Sequence, residues 1–157
     1  MLKKLLLRDV LFALAVFAGW LAFAGISAGT GLLSDFVGVS LGVALGIVAN
    51  QAHEWGHIVG ALISKSTFKP GSSFTSLSNF VYDSKANSRG QFLVMSFGGF
   101  IVTGFIAWFY LTGLPADLLA TRVTHGSILF LIVLGVFLEL PLVVYSLITN
   151  KVPPIDR

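Results

Sequence analysis

Four stretches of this chain are too long and too apolar to lie on the surface of a protein in water, and they constrain the fold more than anything else in it. They run from about Val10 to Ser27, Phe36 to Ser64, Gln91 to Gly113 and Ser127 to Thr149. About 20 apolar residues suffice to cross the hydrocarbon of a bilayer as a helix. Helix is the expected form, because an isolated strand in hydrocarbon leaves its backbone groups without partners. Composition points the same way: 55% of the 157 residues are hydrophobic and only 11% are charged, against about 25% charged in soluble domains. Too few polar side chains remain to cover a water-facing surface. The expectation is a single all-α integral membrane domain over residues 1–157, with the lipid bilayer as its solvent. The Lys-rich start and Ala22-Phe23-Ala24 imitate a secretory signal, but the apolar run is longer than a signal core, so the segment reads as a retained helix. The lack of cysteine excludes disulfide scaffolds, thiol nucleophiles and Cys-type zinc sites.

A net charge of +3 could suggest nucleic acid, but the placement of the basic residues argues against it. With the N-terminus cytoplasmic, Lys3, Lys4, Arg8, Lys65, Lys69, Lys85, Arg89, Lys151 and Arg157 all fall inside, and only Arg122 falls outside. That bias is the positive-inside pattern and agrees with an even number of spans. Both termini are therefore expected on the cytoplasmic side, most naturally of a bacterial inner membrane, with no nucleic-acid partner.

Between the second and third spans lies a more polar segment, 65–90. It contains Pro70-Gly71 and then Phe74 to Tyr82, where apolar and polar residues alternate with aromatic and β-branched side chains. Such a pattern predicts a short strand or β-hairpin-like loop. It reads either as a solvated connector or as an edge to which an extended peptide could add as a strand.

The second span carries His53-Glu54-Trp55-Gly56-His57. Histidines at i and i+4 leave one helical face close enough to share a tetrahedral metal, and the intervening glutamate can reach a water on that metal. Ionisable groups inside a hydrocarbon span are costly and commonly face a cavity, a partner or an ion. The competing reading is a histidine pair satisfied by Asn50 or Gln51, which leaves Glu54 unexplained. At 1.5 Å per residue, His57 and His53 lie roughly 10 and 16 Å from the helix end near Ser64.

Catalytic zinc usually has three protein ligands. Glu139, in the fourth span just before Pro141, lies roughly 15 Å from the same membrane face when counted back from Thr149. Zinc would supply the counter-charge that a carboxylate at that depth needs. The alternatives are a protonated Glu139 or one that orients a ligand histidine. Asp156, in Pro153-Pro154-Ile155-Asp156, is the rival third ligand, although it lies beyond the membrane exit and would have to fold back. His125 falls at the opposite face. Asp9, Asp35, Asp83 and Asp117 read as solvated. Haem binding fails on geometry, since two histidines one turn apart cannot reach opposite faces of one haem.

An HExxH motif inside a transmembrane helix resembles the site-2 protease (M50) family of intramembrane zinc metalloproteases, over roughly Gly46 to the C-terminus. Ala52-His53-Glu54-Trp55-Gly56-His57 is similar to that family's AHExGH helix, and Phe97-Gly98-Gly99-Phe100-Ile101-Val102-Thr103 is a loose version of its AGPxxN, with Phe100 for proline and Thr103 for asparagine. The resemblance implies His53 and His57 as zinc ligands and Glu54 as catalytic base. The family's NxxPxPxLDG motif has no clean counterpart: aligning Pro141 puts its aspartate near Ser146, with Glu139 the nearest acid, and aligning Pro153-Pro154 puts it at Asp156. Two functions follow as expectations. One is zinc-dependent hydrolysis of peptide bonds in a transmembrane protein substrate. The other is a non-catalytic accessory or scaffold subunit of a larger membrane complex. The glycine pairs Gly42-xxx-Gly46 and Gly56-xxx-Gly60 would let helices pack closely in either case.

Overall fold

A computed structural model describes residues 1–71 and 79–154. Helix α1, Leu2–Phe23, runs into a short 3-10 turn, Ala24–Ala28; α2 spans Leu32–Ile63 and α3 Arg89–Gly113. The fourth apolar stretch is α4, Leu119–Leu134, then one wide π turn, Gly135–Glu139, then α5, Leu140–Thr149. Strands β1, Phe68–Pro70, and β2, Phe80–Tyr82, pair antiparallel, with Phe68 opposite Tyr82 and Pro70 opposite Phe80. Four helical runs, Leu2–Ala28, Leu32–Ile63, Arg89–Gly113 and Leu119–Thr149, are long and apolar enough to cross a membrane. The expected small sheet between the second and third is also present. Positions 74–78 of the expected strand lie outside the described residues.

Three helix starts differ from expectation. α1 begins at Leu2 rather than near Val10, because Lys3, Lys4 and Arg8 are good helix formers and carry the helix past its apolar part. α2 begins at Leu32 rather than Phe36, after Gly31 takes a positive φ of 106° that favours glycine. α4 begins at Leu119 rather than near Ser127. Arg122 is exposed on it, and His125 Nε2 pairs with the Tyr110 carbonyl at 2.9 Å. Hydropathy falls off where charge begins, whereas a helix ends where its hydrogen bonds end.

α2 is the axis of the bundle, and its glycines decide how closely the others approach. A Cβ on Gly42 would lie 2.5 Å from Val123 Cβ and 2.8 Å from the Ala120 carbonyl oxygen, and one on Gly46 would lie 2.6 Å from Ser127 Cβ. Further along, a Cβ on Gly56 would meet the Gly98 carbonyl oxygen at 2.6 Å, and one on Gly60 the Val94 carbonyl oxygen at 2.6 Å. One glycine pair thus seats α4 and the other seats α3. The interior is correspondingly small and polar in places, with Ser27, Ser34, Ser96, Thr121 and Thr124 buried, while Leu21 (87% exposed), Phe137 (73%) and Ile148 (76%) point outward. An exterior this apolar is compatible with a multi-pass membrane protein, where close packing of small residues does the work that hydrophobic burial does in water.

One end of the bundle gathers the basic residues and ties the elements together. Ser88 caps α3 in a reciprocal box with Gln91, and Gln91 Nε2 donates to the Ser64 and Lys65 carbonyls at the end of α2. Arg89 Nε donates to the Ser146 carbonyl of α5 at 3.1 Å. Lys65 closes α2 in the left-handed region, φ 54°, and the Ser66 N–H returns to the Ala61 carbonyl.

Glycine packing makes a direct prediction. Gly42→Ala forces α2 and α4 apart and should cost about 1–3 kcal/mol, whereas Gly126→Ala, with nothing within 4 Å of the new Cβ, should stabilise by up to ~1 kcal/mol through helix propensity. Unfolding in detergent checks both; equal shifts would contradict the packing described.

Candidate metal centre

His53 and His57 sit one turn apart on α2, and both are buried. Their partner arrives through the break in the fourth helical run. Pro141 has no N–H, and its ring crowds the carbonyl four residues back. The chain widens there, and the Leu140 N–H bonds to the Gly135 carbonyl across five residues. Such π turns recur at functional sites. This one carries Glu139 to the histidines.

The three side chains converge. His53 Nε2 lies 3.0 Å from Glu139 Oε1, His57 Nε2 lies 3.4 Å from Glu139 Oε2, and the two Nε2 atoms are 3.0 Å apart. Each ring is held by its other nitrogen. His57 Nδ1 donates to the Met95 carbonyl at 2.9 Å, and His53 Nδ1 pairs with Thr103 Oγ1 at 2.7 Å. Thr103 and Met95, rather than Asn50 or Gln51, are thus the partners of the imidazoles.

A carbonyl oxygen only accepts, so Nδ1 of His57 carries a proton and its Nε2, in the neutral ring, presents a lone pair. That lone pair faces His53 Nε2 and a carboxylate, and Glu139 Oε2 is buried with no hydrogen-bond donor among the described residues. The tautomer of His53 decides whether its Nε2 donates to Glu139 or presents a second lone pair; in the latter case a proton or a cation among the three groups would satisfy them. Two ligand atoms at about 2.0–2.1 Å from a tetrahedral ion lie about 3.3 Å apart, close to the 3.0, 3.0 and 3.4 Å separations here. His53, His57 and Glu139 could therefore hold a metal ion, with their ligand atoms all within 4.8 Å of one another. Three protein ligands would leave a fourth tetrahedral position open.

Gly99 makes the room. A Cβ there would collide with the imidazole of His57, so the second glycine of Phe97-Gly98-Gly99-Phe100 admits the ring while Gly98 admits the α2 backbone. Phe80 of β2 lies over the same ring, with centroids 6.2 Å apart. From the α3–α4 side a cavity of about 320 Å³, lined by Phe100, Gly104, Leu131, Gly135 and Val136, opens onto His53.

Glu54 is half-buried beside this group, and its Oε2 accepts the Asn79 backbone N–H at 3.2 Å. Asp156 lies outside the described residues, and His125 is engaged elsewhere, at Tyr110. Asp9 corrects the expectation of a solvated acid. It is 5% exposed and bonded to Arg8, Trp55 and Asn79. A carboxylate beside an arginine at a helix start looks solvated in sequence; here Asn79 and Trp55 bond to it. Thr103 was marked by the Phe97–Thr103 stretch, whereas nothing local marked Met95 or Asn79.

No family model, curated protein or solved structure matches the chain.

Metal titration separates the two candidate third ligands. Glu139→Ala should weaken binding of Zn²⁺ or Co²⁺ at least 10- to 100-fold, the scale of losing even an indirect contact, while Asp156→Ala should bind as the unaltered chain does. The reverse order would move the third ligand to the tail.

Proposed function

We propose that this chain is a small integral membrane zinc peptidase of the site-2 protease type, cleaving transmembrane segments of other proteins. The single observation that carries the reading is the convergence of His53, His57 and Glu139, with each imidazole fixed through Nδ1 and a glutamate following the first histidine. The four apolar helices support a membrane location; cytoplasmic termini, read from the bias of the basic residues, and a bacterial inner membrane are part of the proposal. At the sheet end the site would lie within reach of cytoplasmic water.

Zinc, held by His53, His57 and Glu139, would supply Lewis-acid polarisation of the scissile carbonyl and make a water acidic enough to attack at neutral pH. The protein's own groups do the rest. Glu54 takes the proton from the attacking water and returns it to the leaving amine nitrogen. Met95 and Thr103 keep the imidazoles aimed. The cavity at His53 is apolar and suits the side chains of a membrane-spanning substrate. Glu139 would serve in place of the aspartate of the resembled family, whose position by motif alignment falls near Ser146 or at Asp156.

A second reading, a non-catalytic accessory subunit of a larger membrane complex, draws support from the segment lying over the site: Asn79 already bonds Glu54, and Phe80 lies against His57. Glu54→Gln discriminates between the two. As a peptidase, the protein should lose cleavage of a co-expressed membrane substrate by at least about 100-fold with zinc content unchanged. Undiminished cleavage excludes the mechanism, and absence of both zinc and cleavage in the unaltered chain favours the subunit reading.

A further inference from the structure

Glu54 is oriented from outside its own helix. Its Oε2 accepts the backbone N–H of Asn79, and Asn79, which is fully buried, is gripped at both ends of its side-chain amide. Arg8 Nη2 donates to Asn79 Oδ1 at 2.8 Å, and Asn79 Nδ2 donates to Asp9 Oδ2 at 2.9 Å. A guanidinium only donates and a carboxylate only accepts, so the amide has one possible orientation. The Asn79 carbonyl is held as well, accepting the Gly71 N–H at 2.8 Å. Asp9 collects two further donors, Arg8 Nε at 2.6 Å and Trp55 Nε1 at 2.8 Å. Trp55 is the neighbour of Glu54, so one carboxylate on α1 fixes both the strand segment and the α2 turn that flank it.

We infer that Asn79 is a positioning residue for Glu54, with Asp9 as the anchor that fixes Asn79. A glutamate side chain has three rotatable bonds, and a rigid N–H aimed at one carboxylate oxygen removes much of that freedom. Orientation of a reacting group is a large part of what an active site supplies. The catalytic consequence rests on the reading of Glu54 as general base; the bond itself does not.

The test uses the full chain in lipid nanodiscs with [¹⁵N]asparagine, which labels Asn50, Asn79, Asn87 and Asn150. The Asn79 amide should resonate downfield and exchange slowly. Glu54→Ala should move it upfield and speed exchange, and so should Asp9→Ala or, if that chain does not fold, the isosteric Asp9→Asn. An Asn79 resonance indifferent to Glu54→Ala, or to the Asp9 variants, overturns the inference. The second readout is zinc content together with cleavage of a quenched fluorogenic peptide with an apolar core. Asp9→Asn should keep its zinc and lose roughly 10- to 100-fold in kcat, with KM changed less than about twofold. Loss of zinc, or a change confined to KM, contradicts positioning. If the unaltered chain cleaves nothing, the peptidase reading fails, and the Asn79 resonance alone decides for or against the clamp.

Discussion

Two imidazole nitrogens and a carboxylate face one another at 3.0–3.4 Å, and much of the structure is arranged to keep them there. Together they present lone pairs that a shared proton or a cation would bridge, and on flexible side chains they would be free to turn apart. Each is prevented from doing so by a different device. Met95 and Thr103 hold the far nitrogen of each ring, Gly99 leaves room for the His57 ring that a side chain there would fill, and the π turn brings Glu139 across from the fourth helical run. A site so constrained could hold a cation with its ligand atoms already close together.

The same constraint explains why α2 is glycine-striped along two directions. Ligands from α2 and the fourth run can meet only if those helices approach closely, and α3 can supply Met95 and Thr103 only if its backbone lies against that of α2. Gly42 and Gly46 serve the first contact, and Gly56, Gly60 and Gly98 the second. Packing by small residues is also how helices associate where the surroundings are as apolar as their side chains. The large apolar side chains are thereby left to the outside, which is where Leu21, Phe137 and Ile148 are found.

Much of this was legible in the chain itself, for reasons that differ residue by residue. The apolar runs revealed the helices because backbone hydrogen bonding leaves hydrocarbon-soluble segments few options. His53 and His57 were visible through the i, i+4 spacing, and Glu139 through simple counting of helical rise from the ends of two helices. What stayed hidden depends on contacts distant in sequence or on local geometry without a code. Pro141 signals a disturbance but not that it takes the form of a π turn at Gly135–Glu139. Asp9 looks like a solvated acid, and its bond to Asn79, 70 residues away, has no local signal. The starts of α1 and α4 lie outside the apolar runs, because charge marks the end of hydropathy and not of the helix: Lys3 and Arg122 continue the helices into their polar ends.

Zinc-edge X-ray absorption of the zinc-loaded protein tests most directly whether His53, His57 and Glu139 together bind one ion. Expected is a four-coordinate shell with the multiple-scattering signature of two imidazoles and with carboxylate or water oxygens completing it, all at about 2.0–2.1 Å. A six-oxygen shell without imidazole scattering, or a protein that retains no zinc, would contradict it.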